Sequence, residues 1–93
     1  MTKYYLASNE DGFLHYTKVT EKTPGEGGLV IEDLFKGTST TGISKREAYL
    51  TLEQYEEVLE ESGGIKEIPI GEYELTKIEL LVELQEKKYI HVG

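Results

Sequence analysis

Between Thr51 and Gly64 the apolar positions recur at helical spacing. Leu52, Tyr55, Val58 and Leu59 fall on one stripe when residues are placed about 100° apart. The other side holds Glu53, Glu56, Glu57, Glu60 and Glu61, with no lysine or arginine among them. Thr51 with Gln54 three residues on forms a capping box, whose two side chains satisfy amides that a helix start leaves unpaired. Gly63-Gly64 supplies the left-handed stop that ends many helices. The pattern predicts a short amphipathic helix with a wholly acidic outer face.

Elsewhere the periodicity is shorter. Lys3–Ala7 and Phe13–Val19 are strand-like runs on either side of Ser8-Asn9-Glu10-Asp11-Gly12, a hairpin signal. Leu29-Val30-Ile31 opens a third strand running towards Phe35. Thr23–Gly28 and Gly37–Gly42 read as loops. Two readings compete over Ile43–Leu50. Ser44 with Glu47 would start the helix seven residues earlier, but the wheel then sets Leu50 among the glutamates, so a strand over Arg46–Leu50 is preferred. Ile65–Ile70 reads as a short edge strand because Pro69 cannot donate to a central ladder. Tyr73–Leu84 alternates as a strand through Ile78, Leu80, Val82 and Leu84, or forms a helix capped by Thr76. Its leucine, glutamate, glutamine and lysine content favours the helix. Tyr89–Val92 reads as a terminal strand. The fold class is α+β: a small single domain over residues 1–93, with an antiparallel sheet of four to six short strands and one or two helices packed on it.

Composition narrows the function classes. Ninety-three residues suffice for one modest core, and 38% hydrophobic content with seven tyrosines and two phenylalanines fits a globular chain. The absence of cysteine excludes disulfides and thiolate chemistry. The N-terminal residues lack the apolar core of a signal peptide, and the Ile78–Leu84 block is interrupted by Glu79 and Glu83. A soluble, cytoplasmic protein with no membrane association is expected. The net charge of −8 is unevenly placed. Residues 1–46 carry six basic and six acidic side chains, whereas residues 47–93 carry four basic and twelve acidic ones. Such a surface repels nucleic acid directly and attracts basic partners.

No constellation for catalysis emerges. There is no G-x-S-x-G motif, and neither His15 nor His91 has a sequence neighbour that would complete a triad. Two isolated histidines lack metal-ligand spacing, and Asn9-Glu10-Asp11-Gly12 lacks the alternating ligands of a calcium loop. Gly25-Glu26-Gly27-Gly28 is no phosphate cradle, because Glu26 opposes an anion and a strand follows. Neither cofactor nor metal nor catalytic residue is expected. The tyrosines read as core and sheet residues, a few as interface anchors.

The acidic face is the remaining lead. Carboxylates on adjacent helical turns lie about 5–6 Å apart, a spacing comparable with that of backbone phosphates. Glu53, Glu56, Glu57, Glu60 and Glu61, continued by Glu67, Glu72 and Glu74, are the candidate partner-binding residues. They suit docking on a basic, nucleic-acid-handling protein and inhibiting it. In size, charge and lack of enzymatic motifs the chain is similar to small phage-encoded inhibitors: anti-CRISPR proteins, antirestriction proteins and uracil-DNA glycosylase inhibitors. That likeness rests on no residue motif, and no functional residue is carried over. Two alternatives stand beside it. One is a phage or mobile-element accessory protein that forms homo-oligomers through tyrosines and strand edges. The other is a small-ligand-binding protein with a pocket under the loops at 23–28 and 37–42.

Overall fold

The computed structural model describes residues 1–8, 12–23, 26–37 and 41–92, with side chains through Gln85. Strands β1 (Thr2–Ser8), β2 (Leu14–Glu21), β3 (Leu29–Lys36) and β4 (Thr41–Ala48) form an antiparallel meander. Helix α1 (Leu52–Ser62) leads to β5 (Ile65–Glu67), which pairs antiparallel with β1, and α2 (Ile70–Val92) follows. The strand order is β4-β3-β2-β1-β5. Helix α1 therefore carries the chain from one edge of the sheet to the other, and the α+β expectation of an antiparallel sheet of four to six strands with one or two helices holds, with five strands and two helices.

Cross-strand register decides which side chains share a face. Tyr5, Thr17, Asp33 and Ser44 are successive neighbours on one face, with Val19 and Ile31 beside them. Leu52 and Tyr55 of α1 cover the Tyr5–Val19–Ile31 part of this face. Leu6, Tyr16, Leu34 and Ile43 line up on the reverse, where Tyr73 and Leu80 of α2 pack on them. The two helices thus lie on opposite faces of one sheet. This explains why Tyr4-Tyr5-Leu6 and the β3 run show no polar alternation: both faces are covered, so consecutive residues are all withdrawn from water. Each fully buried aliphatic side chain, such as Ile31 or Leu34, contributes about 2 kcal/mol by burial.

Local chemistry sets α1 as expected. The Gln54 amide donates to Thr51 Oγ1 at 3.2 Å, and the Thr51 amide donates to Gln54 Oε1 at 3.0 Å. Gly63 and Gly64 stop the helix at φ values of 67° and 66°, a region that disfavours side chains with a Cβ. Within the stripe, Leu52 and Tyr55 are buried and Leu59 is half-buried. Val58 departs from the expectation and stands 49% exposed. It lies 60° from Tyr55 on the side away from Leu52 and Leu59, beyond the arc the sheet reaches.

Four boundaries differ from the sequence reading. Strand β4 starts at Thr41 rather than Arg46, within the expected loop, because Thr41 and Gly42 continue the ladder opposite Lys36 and Phe35. Tyr49 and Leu50 leave the sheet; Leu50 packs against the core under α1. Strand β5 ends at Glu67, and Ile70 opens the following helix instead of closing the strand. The Tyr73–Leu84 segment is helical, and the helix runs on to Val92, so the terminal strand over Tyr89–Val92 is overturned. Thr76 is not its cap. Its hydroxyl donates to the Glu72 carbonyl at 2.9 Å, one turn back inside the helix. The Asn9–Asp11 part of the expected hairpin turn lies outside the described residues.

Candidate functional site

Helix α1 runs beside β1 and β5, and this places its glutamates against strand side chains. Lys3 points to the α1 face of β1, and its Nζ donates to Glu56 Oε1 at 2.6 Å. The Tyr5 hydroxyl donates to the same oxygen at 3.4 Å. A cleft of about 560 Å³ on one side of Glu56 is bordered by Lys3, Glu21, Thr51 and Glu53. A smaller one of about 170 Å³ on the other side is bordered by Tyr5, Glu60, Ile65 and Glu67. Five carboxylates, Glu21, Glu53, Glu56, Glu60 and Glu67, therefore ring these adjoining clefts around one lysine. The hydrogen bond to Glu56 raises the Lys3 ammonium above its ordinary value against the opposing effect of burial. Burial first, and then Glu56 and Glu67, push the Tyr5 phenol far above its usual range, so it stays a neutral donor.

The eight candidate glutamates are thereby sorted. Glu53, Glu56, Glu60 and Glu67 come together at the clefts. Glu56 is not an open, uncompensated carboxylate, because Lys3 reaches it from β1. Glu57 and Glu61 stand exposed on the outer side of the same helix. Glu72 and Glu74 are exposed on α2, the helix of the opposite layer, so they extend no single surface with α1. Glu53, Glu57, Glu60, Glu61 and Glu67 have no cation within 4 Å among the described residues. Glu21, from β2, is an acid the helical pattern did not point to.

A second polar centre was missed altogether. Asp33 on β3 is 2% exposed and accepts from His15 Nε2 at 2.7 Å and Arg46 Nε at 3.0 Å. Burial raises the Asp33 pKa, but the bonds from His15 and Arg46 outweigh it and hold the carboxyl below its ordinary value. Glu32, the next residue back, faces the other helix. It receives Tyr73 Oη at 2.9 Å and Lys77 Nζ at 2.9 Å, with Lys45 at 3.8 Å. Its pKa is also net lowered, these contacts overcoming burial. Adjacent acids of the same strand are thus each matched with cations, one on each face of the sheet.

The Asp33 centre is not arranged as a nucleophile relay. Thr17 Oγ1 lies 3.3 Å from His15 Nε2, the same ring nitrogen that meets Asp33. A relay needs the carboxylate on one imidazole nitrogen and the nucleophile on the other. The His15 ring is instead stacked on Phe35, with centroids 4.6 Å apart. A cleft of about 280 Å³ opens beside it under α1, walled by Ala7, Leu50, Leu59 and Ile65 with His15 and Arg46 also lining it. Apolar walls with two polar groups among them give this cleft the composition of a ligand pocket. The expected pocket under loops 23–28 and 37–42 rests partly on residues outside those described.

Among the described residues no helix is long and apolar enough to cross a membrane. Comparison with known proteins adds no relative: no family model, no curated protein and no solved structure matches the chain.

Proposed function

We propose that this is a non-enzymatic binding protein that docks the acidic α1–β5 side of the domain on a basic, nucleic-acid-handling protein and blocks it. One observation carries the reading: among the described residues, five glutamates on α1 and β5 stand without a cation within ion-pairing distance, while the buried acids Glu32 and Asp33 are matched. Like charges at helical spacing cost a few tenths of a kcal/mol per pair. A folded surface that leaves them unmatched is suited to receiving cations from outside. The helix holds them at about 5–6 Å per turn, a spacing at which a groove built for phosphates meets carboxylates instead. Glu72 and Glu74 fall outside the docking surface.

The cleft beside His15 supports small-ligand binding less well. Its volume of about 280 Å³ is at the lower limit for ligand pockets, and the Arg46 charge there is already matched by Asp33.

The test starts from a partner captured from lysate at low salt and eluted by a salt gradient. The variant E53Q/E57Q/E60Q/E61Q should then associate with that partner about tenfold more slowly, with a smaller change in dissociation. E72Q/E74Q should behave as wild type, and double-stranded DNA should compete with the protein for the partner. An unchanged association rate in the first variant moves the site elsewhere. Lack of competition by DNA removes the nucleic-acid-site part of the reading.

A further inference from the structure

The cleft under α1 arises where short side chains face the later part of the helical stripe. Leu52 and Tyr55 are packed on the sheet, but Val58, three residues on, stands 49% exposed. Below this part of the helix the sheet presents Ala7 opposite His15, next to Tyr5 opposite Thr17. Ala7 is too short to close the gap, and His15 is held by Asp33 and stacked on Phe35. The space left is the cleft of about 280 Å³, walled by Leu50, Leu59 and Ile65. Arg46 also lines it, with Nε on Asp33 and the side chain 52% exposed. Because that charge is matched, the cleft does not select an anion. A planar guanidinium beside apolar walls suits the face of an aromatic ring.

This cleft adjoins the acidic side of the domain. Tyr5, Leu59 and Ile65 wall both it and the cleft of about 170 Å³ that Glu56, Glu60 and Glu67 border. An apolar recess and the unmatched carboxylates Glu60 and Glu67 therefore stand on either side of the same three side chains. We infer, resting on the docking proposed above, that the basic partner inserts one aromatic side chain into the cleft beside His15, while lysine or arginine next to it in the partner's chain meets Glu60 and Glu67. Size selects a side chain: about 280 Å³ is at the lower limit for free ligands and holds one ring. Charge selects its neighbours, because the Glu60–Glu67 side favours cations. Proteins that handle nucleic acid carry this combination, with aromatic platforms for bases set among lysine and arginine. An apolar anchor in a pocket with a polar rim is also where interfaces concentrate their affinity. The carboxylates then set the rate of encounter and the cleft sets the residence time.

Two synthetic peptides, acetyl-Lys-Lys-Phe-Lys-Lys-amide and acetyl-Lys-Lys-Ala-Lys-Lys-amide, titrated into the full chain at low salt and followed by NMR, provide the test. The phenylalanine peptide should bind about tenfold more tightly and should shift the methyl signals of Ala7, Val58 and Leu59. The alanine peptide should shift Glu60 and Glu67 and leave those methyls unmoved. Val58→Phe, at a half-exposed position, sets a ring of the chain's own at the cleft and should bring the phenylalanine peptide down to the affinity of the alanine one. E53Q/E57Q/E60Q/E61Q should weaken both peptides alike. Equal affinity of the two peptides for the wild type, with both weakened by the glutamine substitutions, overturns the aromatic anchor and leaves the acidic docking standing. So does a phenylalanine advantage that persists in Val58→Phe or that shifts methyls elsewhere. If the glutamine substitutions change neither affinity, the acidic docking itself is overturned, and the cationic flank proposed here falls with it.

Discussion

Replacing Asp33 probes the centre that the fold encloses most completely. The carboxylate is 2% exposed and is held by His15 at 2.7 Å and Arg46 at 3.0 Å. Breaking a buried ion pair from one side costs about 3–5 kcal/mol when the charge left behind stays buried. Here the Arg46 side chain is 52% exposed and turns to water once released. Asp33→Asn should therefore cost about 2 kcal/mol, below that range. Arg46→Met should cost a similar amount for the opposite reason, since the carboxylate stays buried with only His15 and the Thr17 hydroxyl to meet it. The double variant should lose less than the sum, with a coupling of about 1 kcal/mol. Urea denaturation followed by circular dichroism at pH 7 gives these values. The Asp33 pKa lies below its ordinary 3.8 in the folded chain, so the unfolded chain takes up the proton first. The stabilisation is complete above that unfolded value and is lost as the pH falls through the folded one. The gap between wild type and Asp33→Asn should accordingly close as the pH drops from about 4 towards 2. A coupling under about 0.5 kcal/mol, or a gap that stays constant over the whole range, would refute the account of a buried, matched charge.

Two smaller perturbations test the local chemistry of the helices. Thr51→Ala removes the hydroxyl that receives the Gln54 amide and should cost about 1 kcal/mol, read as a lower midpoint in thermal unfolding. Tyr73→Phe removes the 2.9 Å bond to Glu32 while keeping the ring against Tyr4. It should cost about 1–2 kcal/mol at pH 7, and less below pH 4.5, the ordinary value from which the Glu32 pKa is lowered.

What could be read from the sequence follows how local each signal is. Helix α1 was legible because its capping box and glycine stop lie within the segment itself. Strand β4 was misplaced because its first residues, Thr41, Gly42 and Ser44, carry no strand-like apolar pattern, and only pairing with β3 makes them a strand. The α2 segment mimics a strand for a definite reason. Ile78, Leu80, Val82 and Leu84 alternate because a helix apolar on two sides also satisfies a period of two: Leu80 and Leu84 face the sheet, Ile78 and Val82 face away. The charge centres depend on contacts 13, 18 and 53 residues apart in the chain, which no window can reach. One signal was present. Glu32 and Asp33 interrupt the apolar run from Leu29 to Phe35, and acids in such a run require buried partners.

The proposed docking surface makes a definite demand on salt. At physiological ionic strength screening acts over about 8 Å, whereas at about 0.01 M salt the range extends to about 30 Å. Capture of a basic partner by Glu53, Glu57, Glu60, Glu61 and Glu67 should therefore weaken as salt is added, because the attraction that steers it is screened. A salt series on wild type and E53Q/E57Q/E60Q/E61Q gives two slopes, and that of the variant should be the shallower. Equal slopes would mean that these carboxylates do not steer the encounter, and the acidic side of α1 would then be a solvated face and no docking surface.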